Sequence, residues 1–371
     1  MKKRYFPIFL FCLFTLQLGE YSIDRYIFPA FSVGLILLFL CRYISYKVVL
    51  VIILSGLYLI VCGFVWQSQD EVFFSYFKVT LFLVSFLAGV VLCQYMNNKE
   101  MQSSIIISSA LVIIVGLIDL AYKTIKNGFS LDFSNIYLYK ESLFFSDTNS
   151  LAIYILPVFI LSFLYLDKGW LKFFICISIF ALLVATLSRT LYLALFVFFL
   201  YRYFDRFPVA IKWVIRFSTV LVFVFYIDAM IGVISSDGSG STKVDIFLAM
   251  YQKFPELNSY QQLFGFGLKE GAYIYTFREG HYAHATIALL LGQVGLLGLV
   301  MYYLIWVVIS LKNKDVFVFS VPVVIMSFSF FPAFNETYAF YLGFISCIGC
   351  IEKRVHIDKG YPYEGYVDFR S

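Results

Sequence analysis

The sequence predicts an all-α, polytopic integral membrane protein, and three observations carry that expectation. The first is composition: of 371 residues, 61% are hydrophobic and 14% charged, with a mean hydropathy of +0.86. A soluble domain carries about 45–50% apolar and about 25% charged residues. With 44 Phe and 29 Tyr there is more apolar surface than one aqueous core of this size can hide, whereas a bilayer solvates it without penalty. The second is the recurrence of apolar runs about 15 to 26 residues long, around the roughly 20 residues that cross about 30 Å of hydrocarbon. The third is a sorting of charge between the two sides those runs define. A soluble globular fold is excluded.

Twelve runs are expected as spans, at 5–19, 27–41, 48–66, 75–95, 103–121, 149–166, 171–187, 190–205, 213–235, 285–310, 316–331 and 333–351. The first follows the basic start Met1-Lys2-Lys3-Arg4 and resembles a signal peptide. No small-x-small cleavage site follows it, so it is expected to stay as a span. The seventh and eighth would make one helix of about 52 Å if joined, too long for a single crossing, so a break is expected at Ser188-Arg189-Thr190.

With the N-terminus placed inside, the inner segments hold 18 Lys+Arg and 8 Asp+Glu. The outer segments hold the remaining 10 Lys+Arg and 15 Asp+Glu, a clear positive-inside bias. Both termini are therefore expected in the cytoplasm. The two longest loops, 122–148 and 236–284, fall outside, with the tip at Arg189 between them. The chain reads as one transmembrane domain over 1–371, and 236–284 is a long outer loop within it. Within that loop, Lys243 to Lys253 has helical apolar spacing at Ile246, Phe247 and Met250.

Several classes of function lack support. The seven cysteines sit in apolar runs with neither a disulfide framework nor zinc spacing, so buried free thiols are expected. No GxGxxG or P-loop faces the cytoplasm, which leaves nucleotide chemistry unsupported. No repeat of 20–50 residues occurs. Nothing points to nucleic acid.

Of three histidines, His281 and His284 fall together at the end of the long outer loop. A His-x-x-His pair invites zinc, but the Glu of HExxH and a third His are missing, so no metal is expected. Interfacial histidines with ordinary hydrogen bonds are the plain alternative. Eleven residues past His284, about three helical turns, stand Gly295 and then Gly298, expected on the same helix face to let a neighbouring helix approach.

This stretch resembles the bacterial O-antigen ligase and O-antigen polymerase superfamily of membrane glycosyltransferases, whose pattern is His-[Asn/Ser/Gln]-x9-Gly-x2-[Gly/Thr/Tyr]. Here it reads His284, Ala285 in place of the amide or hydroxyl, nine residues, Gly295, two residues, Gly298. Leu263-Phe264-Gly265-Phe266-Gly267-Leu268 looks like the family's glycine-rich stretch, and Ser188-Arg189-Thr190 like its Ser-Arg segment. Ser146-Asp147-Thr148-Asn149-Ser150 looks like its Asp-x-Asn start of a middle span. Lys243 stands where the family often has Arg. The resemblance covers roughly residues 140–310, in order.

The resemblance implies a polymerase that joins undecaprenyl-diphosphate-linked oligosaccharide repeat units at the periplasmic face of the bacterial inner membrane. The product would be O-antigen or capsular polysaccharide, made without metal or cofactor and with a chain-length regulator as a further partner. The ligase, which hands polymer to lipid A-core, is the alternative. A transporter for the lipid-linked sugar is the reading from another class, and broken helices with midplane polar groups would mark it.

Elementary chemistry assigns roles within the first reading. The departing diphosphate needs cations, and the attacking hydroxyl needs a base. Arg189 and Arg278 match phosphate oxygens with a permanently charged fork, and Lys243 adds a point charge. His284 is the base, since imidazole titrates near about 6.5. Snorkelling is the plain alternative for Arg189, and pairing with Glu279 for Arg278. Tyr251, Tyr260, Tyr273 and Tyr275 offer flat faces to sugar rings. Asp119 and Asp228 are expected at span ends, and Lys78 is expected to snorkel.

Overall fold

The computed structural model describes residues 17–18, 21–22, 69–127, 141–144, 148–167, 169–204, 206–214, 238–276, 282–312, 314–327 and 334–358. Apart from a two-residue antiparallel pair, Gln17 with Ser22 and Leu18 with Tyr21, its regular structure is helical. That pair replaces the last helical residues expected of the first span. The remainder of that span, those expected at 27–41 and 48–66, and nearly all of the one expected at 213–235 lie outside the described residues.

Helices α1 (Gln69–Tyr95) and α2 (Asn98–Asn127) are joined by a tight turn that a reciprocal cap dictates. The Glu100 amide donates to Asn97 Oδ1 at 2.9 Å, and the Asn97 amide donates to Glu100 Oε2 at 3.0 Å. Two otherwise orphaned helix-start donors are satisfied at once. Helices α3 (Thr148–Tyr165) and α4 (Trp170–Ala185) follow. The former is apolar all round and buried along nearly its whole length.

The expected break after α4 falls at 186–188. Leu187 takes φ 54°, the Thr186 hydroxyl bonds the Leu183 carbonyl, and α5 (Arg189–Phe204) begins after Ser188 Oγ accepts from the Leu191 amide at 3.4 Å. The segment expected as a long loop then builds α6 (Gly238–Lys253) and the short α7 (Ser259–Phe264), capped by Asn258 Oδ1 on the Gln261 amide. Three longer helices close the chain: α8 (Thr286–Lys312), α9 (Lys314–Ser327) and α10 (Glu336–Asp358).

Among the described residues, three helical stretches, Asn98–Lys126, Thr148–Tyr165 and Thr286–Leu304, are long and apolar enough to cross a membrane. Phe77–Cys93, Trp170–Ala185, Thr190–Phe204 and Asp315–Met326 are shorter apolar helices. Ile114, Leu117 and Ile118 on α2, Phe173 and Phe174 on α4, and Leu296, Val300, Leu304 and Val307 on α8 all point outward. Such an apolar exterior is what hydrocarbon, not water, covers. Together these are the features of a membrane protein.

Side-chain contacts sort the helix ends into two groups. At one end the Gln102 amide donates to the Tyr165 carbonyl, the Asp167 amide donates to Gln102 Oε1, and the Tyr165 hydroxyl bonds Asp315 at 3.0 Å. Tyr201 and Phe317 stack there at 4.6 Å. At the other end Lys78 meets Glu336, and Ser75 meets the loop at Leu268. Between them lies an aromatic core of Phe159, Phe163, Phe198 and Phe199, with ring centroids 5.2 to 6.1 Å apart.

The tightest pairing joins α1 and α10. A Cβ on Gly89 would strike the Phe340 carbonyl, and one on Gly343 would strike that of Phe86, so the two backbones touch. Because Lys78 lies beside Glu336 and Gly89 beside Phe340 and Phe344, the two helices run in the same direction.

Candidate functional site

Gly295 is the residue around which the site is built. It adopts φ 65° and ψ −172° and breaks α8 into two segments. Such a positive-φ, extended-ψ conformation costs an L-amino acid about 1–3 kcal/mol, which glycine avoids. The uninterrupted three-turn face expected from His284 to Gly298 therefore does not exist. A loop occupies the opening instead of a neighbouring helix. Gly298 lies buried in the second segment.

That loop is the glycine-rich stretch. Its Phe266 amide donates to the Gly292 carbonyl and its Gly267 amide to the Gln293 carbonyl, both at 2.9 Å. These are carbonyls that a helix interruption leaves open. The fit is backbone on backbone: a Cβ on Gly265 would lie 2.6 Å from the Gln293 carbonyl and 2.7 Å from the Gly295 nitrogen, and one on Gly271 would strike Gly292. Side chains lock the dock, because Gln293 Nε2 donates to the Leu268 carbonyl at 2.6 Å and the Leu268 amide donates to Ser75 Oγ at 2.9 Å.

His284 sits half-buried two residues before α8, its ring against Tyr282 with centroids 4.3 Å apart. The segment is pinned where the Ala283 amide donates to the Ala272 carbonyl at 2.8 Å. Ala283 and Ala285 are fully buried while Tyr282 is exposed, an alternation that turns the His284 side of the segment away from the core. Ala283, Ala285 and Ala288 pack with Ile246 and Tyr275 in a separate apolar cluster, to which Phe247 and Met250 of α6 also contribute. Helix α6 thus has the inward face its spacing predicts. Lys243, three and four residues before Ile246 and Phe247, is half-buried on that same face.

Arg189 is the first residue of α5, two residues after Leu187 with its positive φ. Its side chain, together with Arg278, His281 and Asp228, lies outside the described residues. Thr148 and Ser150 of the Asp-x-Asn segment are buried at the start of α3.

Packing gives three of the expected residues definite surroundings. Lys78, expected to snorkel, pairs with Glu336 at 3.1 Å, because α1 and α10 bring the two charges together. Asp119, expected at a span end, is buried near the end of α2 in an ion pair with Lys123, and it also accepts from the Ser142 hydroxyl at 2.6 Å and the Leu143 amide at 2.7 Å. That carboxylate ties 141–144 to the end of α2. Among the four tyrosines, Tyr251, Tyr260 and Tyr273 are exposed, but Tyr275 is fully buried. Its burial pushes the phenol up to about 12, and its hydroxyl finds no partner among the described residues.

The Lys78–Glu336 pair and the Gln293–Leu268–Ser75 chain were missed by sequence reasoning. Only the unusual presence of Lys and Glu beside apolar runs could have pointed to the former. Nothing in the spacing announces the latter. Compared with family models, with curated proteins and with solved structures, the chain matches none of them.

Proposed function

We propose that the chain is a membrane glycosyltransferase of the polymerase type, joining undecaprenyl-diphosphate-linked oligosaccharide repeats at the periplasmic face of the bacterial inner membrane. In this reading twelve spans place both termini in the cytoplasm and 236–284 outside. The observation that carries it is the docking of the glycine stretch on the Gly292–Gly295 break, in the helix that begins two residues after His284. Two motifs more than 20 residues apart become one rigid shelf, with the candidate base at its edge and the Lys243 helix packed behind it. Rigid placement of a base is what proton abstraction from a sugar hydroxyl requires. Exposed Tyr251, Tyr260 and Tyr273 supply faces for sugar rings.

His284 takes the hydroxyl proton as the acceptor oxygen attacks the anomeric carbon, and the diphosphate departs with the bond electrons. Arg189, Arg278 and Lys243 hold the departing charge, without metal or cofactor. A chain-length regulator is the partner that would act on the product. A second reading, a lipid-linked oligosaccharide transporter, draws on the same break, since interrupted helices are a device of transport proteins.

A surface-polysaccharide gel tests the assignment in a deletion strain complemented with wild type, His284→Ala or Arg189→Ala. The expected result is core plus a single repeat in the deletion, and no ladder from either variant at normal membrane levels. Bare core in the deletion gives the function to the ligase. Extension of lipid-linked repeats by purified protein in detergent, where no gradient exists, removes the transporter reading. A full ladder from both variants removes this site.

A further inference from the structure

The one buried carboxylate at the dock end of the α1–α10 pair holds a lysine that the proposed reaction has not used. Glu336 is 7% exposed in its side chain, whereas its partner Lys78 keeps 28% of its side chain open, with Nζ 3.1 Å from Glu336 Oε1. An ion pair at the end of an apolar helix bundle is costly to desolvate and in a membrane protein marks function by default. Geometry fixes it firmly. The backbone contact at Gly89 and Gly343 locks the two helices, and Asn335 caps α10 through the Tyr338 amide at 3.0 Å while donating to the Tyr154 hydroxyl at 3.3 Å. Three residues before Lys78, on the same face of α1, Ser75 Oγ receives the Leu268 amide of the docked loop. The pair therefore stands one helical turn from the shelf that follows from His284.

We propose that Lys78, oriented by Glu336, binds a phosphate oxygen of the lipid-diphosphate substrate. An ammonium has three N–H donors, and Glu336 accepts one. A carboxylate that aims a lysine at nucleotide phosphates is the arrangement protein kinases use. The charges of the pair cancel, so it does not attract anions at a distance. What it offers is a directed donor for an oxygen already delivered by the lipid. This assignment rests on the glycosyltransferase reading above and adds a binding residue to it.

The test is binding of a polyprenyl diphosphate to the purified full chain in nanodiscs, beside inorganic pyrophosphate and an anionic phospholipid as separate competitors. Wild type is expected to prefer the polyprenyl diphosphate, and Lys78→Gln to bind it roughly ten-fold or more weakly, the loss expected for one charge-assisted hydrogen bond. Lys78→Arg should retain most affinity. Because Lys78→Gln strands Glu336, the double variant Lys78→Gln/Glu336→Gln and the exchange Lys78→Glu/Glu336→Lys are measured too. Both should restore the thermal midpoint without restoring binding, which a purely structural pair would not do. Wild-type affinity in the folded double variant overturns the role of Lys78 and leaves the glycosyltransferase reading standing. Competition by the phospholipid equal to that by the diphosphate also overturns it, in favour of a headgroup site. A wild type that binds no polyprenyl diphosphate overturns both.

Discussion

Tyr275 shows how a single residue can look like a ligand platform and serve as a core. In sequence it is one of four loop tyrosines suited to sugar, yet its ring is enclosed by Ile246, Ala283, Ala285 and Ala288. With burial raising its phenol to about 12, the folded chain holds the proton after the unfolded chain, titrating near about 10, has released it. The stability it supports is complete below pH about 10 and is lost as pH rises toward 12. Thermal midpoints of wild type and Tyr275→Phe should agree at neutral pH and diverge above pH about 10, with wild type falling faster. Parallel curves would refute the burial. Since the hydroxyl has no partner among the described residues, the substitution itself should change stability by less than about 1 kcal/mol.

Helix α8 carries the corresponding lesson for an element. Its apolar run is continuous enough to read as a single span, and no proline marks the interruption. What decides the break is the pair of glycine clusters meeting face to face, so that loop amides replace the missing helix donors at Gly292 and Gln293. Gly295→Ala should cost about 1–3 kcal/mol from the positive-φ backbone alone, and more because the new methyl strikes the Leu263 carbonyl. Gly271→Ala meets backbone as well. Gly116→Ala on α2 is the control, because its Cβ would lie 2.7 Å from a Leu182 side-chain methyl that can move aside. Thermal unfolding in detergent should rank the first two well below the third, with polymer formation lost alongside them. A Gly295→Ala protein as stable as wild type would mean that α8 tolerates a different course.

For the whole molecule, the contacts between helix ends fall into two groups. Gln102, Tyr165, Asp167 and Asp315 belong to segments assigned to the inner side, and they meet at one end. Ser75, Lys78, Leu268 and Glu336 belong to segments assigned to the outer side, and they meet at the other. The sidedness itself can be read with a membrane-impermeant maleimide on a cysteine-free background. Tyr260→Cys, at a position 69% exposed in the loop assigned to the outer side, should label in intact cells. Lys99→Cys, exposed at the α1–α2 turn, should label only after permeabilisation. The reverse pattern inverts the orientation, and labelling of both in intact cells discards it.

The all-helical class, the apolar helices and the break near Ser188 follow from the sequence alone, because composition and run length are local properties that a bilayer reads directly. The capped turn at Asn97–Glu100 and the inward face of α6 are local in the same way. Other features join residues far apart in the chain: Lys78 with Glu336, Gly265 with Gln293 and Gly295, Ser75 with Leu268. No periodicity encodes such meetings, since each depends on where whole helices pack. Thus Lys78 became an ion-pair partner, Tyr275 a core residue and Gly295 a break in the helix only once tertiary packing set the neighbours of each.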